Sequence, residues 1–397
     1  MRILYLADIR FPLERANGIQ SMATCHALAA RGHEVALLVR PDSRTPPRDP
    51  FTFYGLERIP GLRIEVAPIT GPATARRVGY LTFTIGRAAG RGRQDLIFTR
   101  DLGLASLLLH LPSSMRAPIV YEAHGIAADV AAALPDLLTG APQASASKLR
   151  RLARRDERVW RAADGYVTIT AALRRELARR FGERPRTCVV PDGVRLSDAG
   201  PGGLNEDEGR TFTIGYAGHL YPWKGADLVI EAVAAIPNAR GTIVGGHEGE
   251  PDLERLKAFA VELNCASRIT FTGMVPPAQV AAALTEADVL VLPNRASAIS
   301  NAFTSPLKLF EYMASGRPIV ASDLPSLREV LRDGENALLV EPGNPQALVA
   351  AILRIKEDRP LGMRLADVAR QDVRDFTWAR RAERLDALFA EVTGGPA

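Results

Sequence analysis

Short apolar runs of strand length alternate with helical stretches along this 397-residue chain, and after one interruption the alternation starts again. In the first half the runs are "RILYLA", "EVALLV", "DLIFT", "PIVYEA", "GYVTI" and "TCVVP". Between them lie stretches such as "IQSMATCHALAARG" and residues 147–163, whose apolar positions recur at intervals of three and four. Strand alternating with helix implies a parallel sheet with helices on both faces, because parallel strands need a long crossover. Residues 196–210, "LSDAGPGGLNEDEGR", break the pattern and read as a linker. It then resumes with "FTIGYAG", "GTIVGG", "RITFTG", "DVLVLP", "RPIVAS" and "NALLVE", separated by helices over 226–236, 251–263, 276–284, 306–314 and 325–331. The fold class is therefore α/β, with two doubly wound sheets, and the length suits two domains. In such sheets ligands bind beyond the C-terminal strand ends, which fixes the loops to inspect.

Composition narrows the class. Cys25, Cys188 and Cys265 are scattered, without metal-ligand spacing, and fit a reducing compartment. The opening "MRILYLADIR" breaks at Asp8, too soon for a signal segment, and no apolar run reaches membrane-spanning length, so a cytoplasmic protein is expected. Residues 1–197 hold 30 Lys and Arg against 18 Asp and Glu, and the remainder is acidic. No aromatics are interleaved with the basic residues, so nucleic acid is not expected as a partner. The helix "KLRRLARRDERVWRAA", Lys148 to Ala163, leaves open a weak peripheral contact with a membrane carrying a lipid-linked acceptor. The competing reading is a solvated helix laced with ion pairs, Arg154 having Asp156 and Glu157 nearby.

Only five of the 50 basic residues are lysine, and two of the five stand where a strand-end loop turns into a helix. Lys224 follows "FTIGYAG" in "HLYPWKG", beside a helix start whose free amides and dipole suit an anion. Lys308 lies in "TSPLKLFEYMASG", where Ser305 is expected to cap the helix and Pro306 to open it. That leaves the amides of Leu307 and Lys308 available for a phosphate. Glu311 sits roughly 8 Å along the helix axis from the cap, where a carboxylate can accept both ribose hydroxyls.

These segments resemble the large retaining family 4 of GT-B glycosyltransferases. The likeness rests on "GYAGHLYPWKGADLVIEA" and "SPLKLFEYMASGRPIVASDLPSLREVL", on the opening strand, loop and helix, and on "YEAHG", "VTIT" and "VVPDGV" between them. It implies two Rossmann-like domains facing a cleft: residues 1–197 for the acceptor, 211–375 for the nucleotide sugar, and a 376–397 helix crossing back to the first. By the same resemblance Lys224 binds the donor diphosphate, the amides of Leu307 and Lys308 the distal phosphate, and Glu311 the ribose. The base would lie near Met274, Gly18 would bring a helix start to the phosphates, and His124 would touch the transferred sugar. Lys224, His124 and Glu311 are thus the candidate catalytic residues, with Gly18, His219, Met274, Ser305, Leu307 and Lys308 completing the donor site. Two positions depart from the family pattern. Phe303 stands where many relatives carry a glutamate, and His219 where many carry an arginine.

The implied reaction is retaining, moving a hexose-type sugar from a nucleoside-diphosphate sugar, UDP- or GDP-linked, to a hydroxyl of a glycan, a lipid-linked sugar or a small molecule. No Asp-x-Asp motif stands at a strand end, so neither a catalytic metal nor another cofactor is expected, and Lys224 with the helix dipoles would stabilise the leaving diphosphate. The alternatives are a nucleotide-sugar-binding subunit that has lost catalysis and another GT-B enzyme such as a sugar epimerase. A dehydrogenase is disfavoured, since "RILYLADIR" lacks the glycine pattern of dinucleotide folds. Loops 41–60, 66–80 and 126–147 are expected to set acceptor specificity.

Overall fold

The computed structural model describes residues 1–90, 93–138, 140–196, 211–303 and 305–394. The proposed linker falls almost wholly on residues 197–210, outside the described residues, as does Thr304. The chain divides into two compact units: Met1–Ala131 with Ala144–Gly193 and Trp378–Ala397, and Val194–Thr377 with Ala132–Gln143.

The first unit is built on a parallel sheet of β1 (Arg2–Arg10), β2 (Glu34–Arg40), β3 (Leu62–Val66), β4 (Leu96–Thr99), β5 (Ile119–Ala123), β6 (Gly165–Thr168) and β7 (Thr187–Val189). Their order is β3-β2-β1-β4-β5-β6-β7. In the second unit β8 (Thr213–Ala217), β9 (Arg240–Val244), β10 (Ile269–Gly273), β11 (Val289–Leu292), β12 (Ile319–Ser322) and β13 (Leu338–Val340) run β10-β9-β8-β11-β12-β13, again all parallel. In each sheet the order reverses beside the first strand of the unit, the point at which doubly wound folds bind ligands. Strands β4, β5, β6, β11 and β12 are buried along their whole length, as their largely apolar sequences require.

The C-terminal helix, Trp378–Thr393, packs on the helix Ala16–Ala30 of the first unit. It buries Ala382, Leu385, Leu388, Phe389 and Val392 in that unit's core, so the last residues of the chain complete the first domain. No helix among the described residues is long and apolar enough to cross a membrane.

Several expectations are corrected. Strand β3 lies within "GLRIEVAP", where no strand is expected; at the sheet edge its residues are only partly covered, so the apolar signal is diluted. Residues 325–330 form successive tight turns in place of a helix, Ser326 donating to the Ser300 carbonyl at 2.6 Å. The supposed specificity loops contain the helices Pro50–Tyr54 and Ala127–Leu137 and the first half of the helix Ala73–Ala88. The first carries start and stop signals in the sequence: Asp49 accepts from the Thr52 amide at 2.9 Å, and Gly55 ends the helix in the left-handed conformation. Arg154 does not pair with Asp156, because residues two apart on a helix point to different faces. Asp156 is buried and receives the Ala128 amide at 3.3 Å, while Glu157 pairs with Arg161 at 3.0 Å.

Candidate active site

In the second unit three strand ends converge on glycines. A Cβ on Gly245 would lie 2.1 Å from the Gly218 carbonyl oxygen, and its φ of +135° is open only to glycine. The Gly245 amide in turn donates to the Gly273 carbonyl at 3.0 Å. Backbones from β8, β9 and β10 therefore meet without intervening side chains, and Met274, half-buried, follows directly. After Gly218 the chain runs through His219, whose ring stacks on Tyr221 at 5.0 Å, into the single turn Pro222–Lys224. Gly225 then starts the helix Ala226–Ala235 at φ +72°, its α-carbon pressed so closely on the Pro293 carbonyl that a Cβ would fall 2.0 Å from that oxygen. The Arg295 amide donates to the Trp223 carbonyl at 2.9 Å, fixing the Lys224 loop to the end of β11.

Against this loop stands the helix Leu307–Ser315. Its cap is Pro306, in extended conformation, and not Ser305. Proline cannot offer a capping side chain, so the amides of Leu307 and Lys308 have no acceptor within the helix and none from a cap side chain, while the Leu309 amide donates to the Pro306 carbonyl at 2.9 Å. Tyr312 anchors the helix to β8, its hydroxyl receiving the Ala217 amide at 2.7 Å. Ser305 and Leu307 are half-buried at the helix start.

Lys308 is 8% exposed, and among the described residues its ammonium has no hydrogen-bond partner. It lies 4.1 Å from the centre of the Tyr216 ring, and a Cβ on Gly218 would stand 3.4 Å from Nζ. Burial, reinforced by repulsion from Lys224 and opposed by Glu311, pushes the Lys308 ammonium well below the usual lysine range. Burial likewise brings Lys224 down to about 7, its Nζ 3.7 Å from the Trp223 ring centre. Glu311 moves the other way: burial raises its carboxyl to about 7, with Lys308 opposing. Lys308 thus lies within electrostatic reach of both Lys224 and Glu311 at a helix start, an arrangement chemically suited to an anion that carries hydroxyls. Phe303 is buried and apolar, so its side chain supplies no hydrogen bond.

The first unit holds its own polar centre. Glu122, fully buried in β5, receives Arg381 of the C-terminal helix, Gln20, and Nε2 of His124. Arg381 also donates to the Thr24 hydroxyl at 3.0 Å and to the carbonyls of Val190 and Pro191, each at 2.9 Å. Arg100 holds Gln20 from behind at 2.8 Å. Burial alone would raise the Glu122 carboxyl, but Arg381, His124 and Arg100 hold it at about 2. A carboxylate accepts only, so Nε2 of His124 carries the proton. Burial and Arg100, outweighing Glu122, lower the His124 pKa, so the neutral ring presents Nδ1 as an acceptor. Gly18 lies inside the helix Ala16–Ala30, where a Cβ would stand 2.4 Å from the Leu13 carbonyl oxygen and 2.5 Å from the Tyr54 hydroxyl. Close packing of the β1 loop therefore accounts for that glycine without a ligand.

The structure thus brings Lys224, Lys308 and Glu311 together in one unit, with His219 and Met274 on adjoining loops, and sets His124 and Gly18 in the other. Sequence reasoning missed Glu122 and Arg381. A lone acid inside the apolar strand "IVYEA" is a signal that it needs a cation; nothing local in "TWARRAERL" marks Arg381 as that cation.

Known proteins share this architecture and sequence pattern. Residues 19–198 match the model described as Glycosyltransferase Family 4, and residues 211–358 that described as Glycosyl transferases group 1. The D-inositol 3-phosphate glycosyltransferase of Corynebacterium glutamicum is 26% identical, over 99% of this chain and 97% of its own. The enzyme of that name from Geodermatophilus obscurus is 31% identical over 59% of this chain and 54% of its own. Among solved structures, sucrose-phosphate synthase from Thermosynechococcus elongatus superposes with a TM-score of 0.75 at 20% identity, covering 99% of both chains. Anabaena Alr3699/HepE, in complex with UDP-glucose, gives 0.71 at 18% identity, covering 98% of this chain and 100% of its own. With two doubly wound parallel sheets, a C-terminal helix completing the first, and family models matching both halves, the chain belongs to the group 1, family 4 glycosyltransferases of GT-B fold.

Proposed function

We propose that the protein transfers a hexose-type sugar, with retention of configuration, from a UDP- or GDP-linked donor to an acceptor hydroxyl. The observation that carries this reading is the buried ammonium of Lys308 at the start of the helix Leu307–Ser315, without a hydrogen-bond partner among the described residues. An ammonium without a partner is costly to bury, and a diphosphate supplies the missing charge. In this reading Lys224 meets the diphosphate, the amides of Leu307 and Lys308 the distal phosphate, Glu311 the ribose hydroxyls, and the loop at Met274 the base. Nδ1 of His124 accepts from a hydroxyl of the transferred sugar. The acceptor hydroxyl attacks on the face from which the diphosphate leaves, and a donor phosphate oxygen takes its proton. The complex of Alr3699/HepE with UDP-glucose supports a donor of this class.

Two lysines take the place of a metal at the leaving group, so EDTA should leave the rate of UDP or GDP release from a sugar donor unchanged. A rate abolished by EDTA and restored by Mg2+ contradicts that part of the proposal. The pH dependence is also set. Productive binding needs Glu311 ionised and Lys224 protonated, and both groups titrate at about 7 in the ligand-free protein. Donor affinity should therefore fall on the acid side as Glu311 gains a proton, and on the alkaline side as Lys224 loses one. Glu311→Gln should remove the acid limb, and Lys224→Arg should weaken the alkaline limb, which Lys308 shares because burial pushes it well below the usual lysine range too. A flat profile across about pH 6 to 9 in the unmodified protein contradicts both assignments.

A further inference from the structure

The arginine-rich helix Ala146–Ala162 has no part in the donor site. Ser147, Arg150, Arg151, Arg154 and Arg158 recur at intervals of three and four, so they stand in one stripe, with Arg155 at its border. Opposite runs the helix Leu102–Leu108, with His110 just past its end. The two helices bound a groove of about 490 Å3 with five arginines and no acidic residue in its lining.

The charges of this groove are not neutralised from within the protein. Among the described residues no carboxylate lies within ion-pair distance of any of the five arginines, and the helix's own acids are engaged elsewhere. Asp156 is buried against the start of the helix Ala127–Leu137, and Glu157 holds Arg161. The nearest partner of Arg158 is His110, with Nη1 and Nε2 at 2.5 Å. A guanidinium can only donate, so that imidazole nitrogen accepts and brings no negative charge. From Ser147 to Arg158 the stripe extends roughly 16 Å along the helix axis, which holds five like charges within a short span.

We propose that this groove is a second anion site, binding the phosphoryl groups of an organic ligand, separate from the Lys224 and Lys308 site of the other unit. The guanidinium fork matches the oxygens of phosphate bidentately, and successive turns of the helix offer repeated forks. A phosphate ester carries about two charges where a carboxylate carries one, so phosphate answers the five cations with fewer groups. Ser106 and Ser147 add hydroxyl donors along the floor and rim. The same phosphoryl chemistry occurs on a soluble phosphorylated compound and on a lipid headgroup, and the two sources are separable by experiment.

The test uses Arg151→Gln with Arg154→Gln, both exposed and without carboxylate partners, and in parallel Lys308→Met. Calorimetric titration with inorganic pyrophosphate should show two classes of site in the unmodified protein. The double glutamine variant should lose one class, weakened at least tenfold, and Lys308→Met the other. Co-sedimentation with phosphatidylcholine vesicles, with and without phosphatidylglycerol, identifies the source. Arginine-dependent pyrophosphate binding without vesicle binding supports a soluble ligand; arginine-dependent retention on the anionic vesicles alone supports a headgroup. Pyrophosphate and vesicle binding both unchanged in the double variant would overturn the proposal, whatever becomes of the donor site in Lys308→Met.

Discussion

Replacing Lys308 by methionine should make the ligand-free protein more stable and the enzyme much less active. Methionine keeps the stem that threads past Gly218 and removes the ammonium, which is buried without a hydrogen-bond partner among the described residues. An unsatisfied polar group of this kind costs about 1–3 kcal/mol by mutational measures. The contact with the Tyr216 ring that is lost in exchange is worth about 0.5–2 kcal/mol, so a net gain is expected. Turnover moves the other way, because the removed charge faces the leaving diphosphate in the proposed mechanism. By analogy with the loss of one preorganised donor to a developing charge, kcat should fall by about 100-fold to 1,000-fold. Thermal unfolding and donor turnover of the same sample check both halves. A variant that is less stable and fully active contradicts the assignment of Lys308 to the donor.

Replacing Arg381 by methionine should cost the fold about 3–5 kcal/mol, since Glu122 stays buried with its cation gone. Adding Glu122→Gln should recover a large part of that loss, because the double variant leaves no isolated charge. The pH dependence has a definite sign. The Glu122 carboxyl is held at about 2, below its ordinary value near 4.5, so its stabilisation is present above that ordinary value. It is lost as the pH falls through about 2. In the Arg381→Met, Glu122→Gln variant this share of the acid sensitivity should disappear. Additive losses in the two single variants would show that the pair is not coupled.

The parts legible in the sequence are those where local pattern and burial agree. The inner strands β4, β5, β6, β11 and β12 are largely apolar runs, and they are buried along their whole length. Lys224 and Lys308 stood out because lysine is rare in the chain and both lie where a strand end leads into a helix. Edge and cap details were less legible. Strand β3 is half covered and so only half apolar, and Pro306 takes the cap position that Ser305 also suits. The Glu122–Arg381 pair was hidden for another reason: its partners are 259 residues apart, and only the return of the last helix to the first unit joins them. Arg154 failed as an ion-pair partner because proximity in sequence is not proximity on a helix face.

The most direct test of the account is a thermal-shift titration of the purified protein with UDP, GDP, ADP, TDP and NAD, repeated on Glu311→Ala and Lys224→Ala. One nucleoside diphosphate at a hundred times its Kd should add about 2.7 kcal/mol of stability, and both variants should lose that gain. A shift with NAD alone, or a diphosphate shift that survives both substitutions, contradicts the donor site described here.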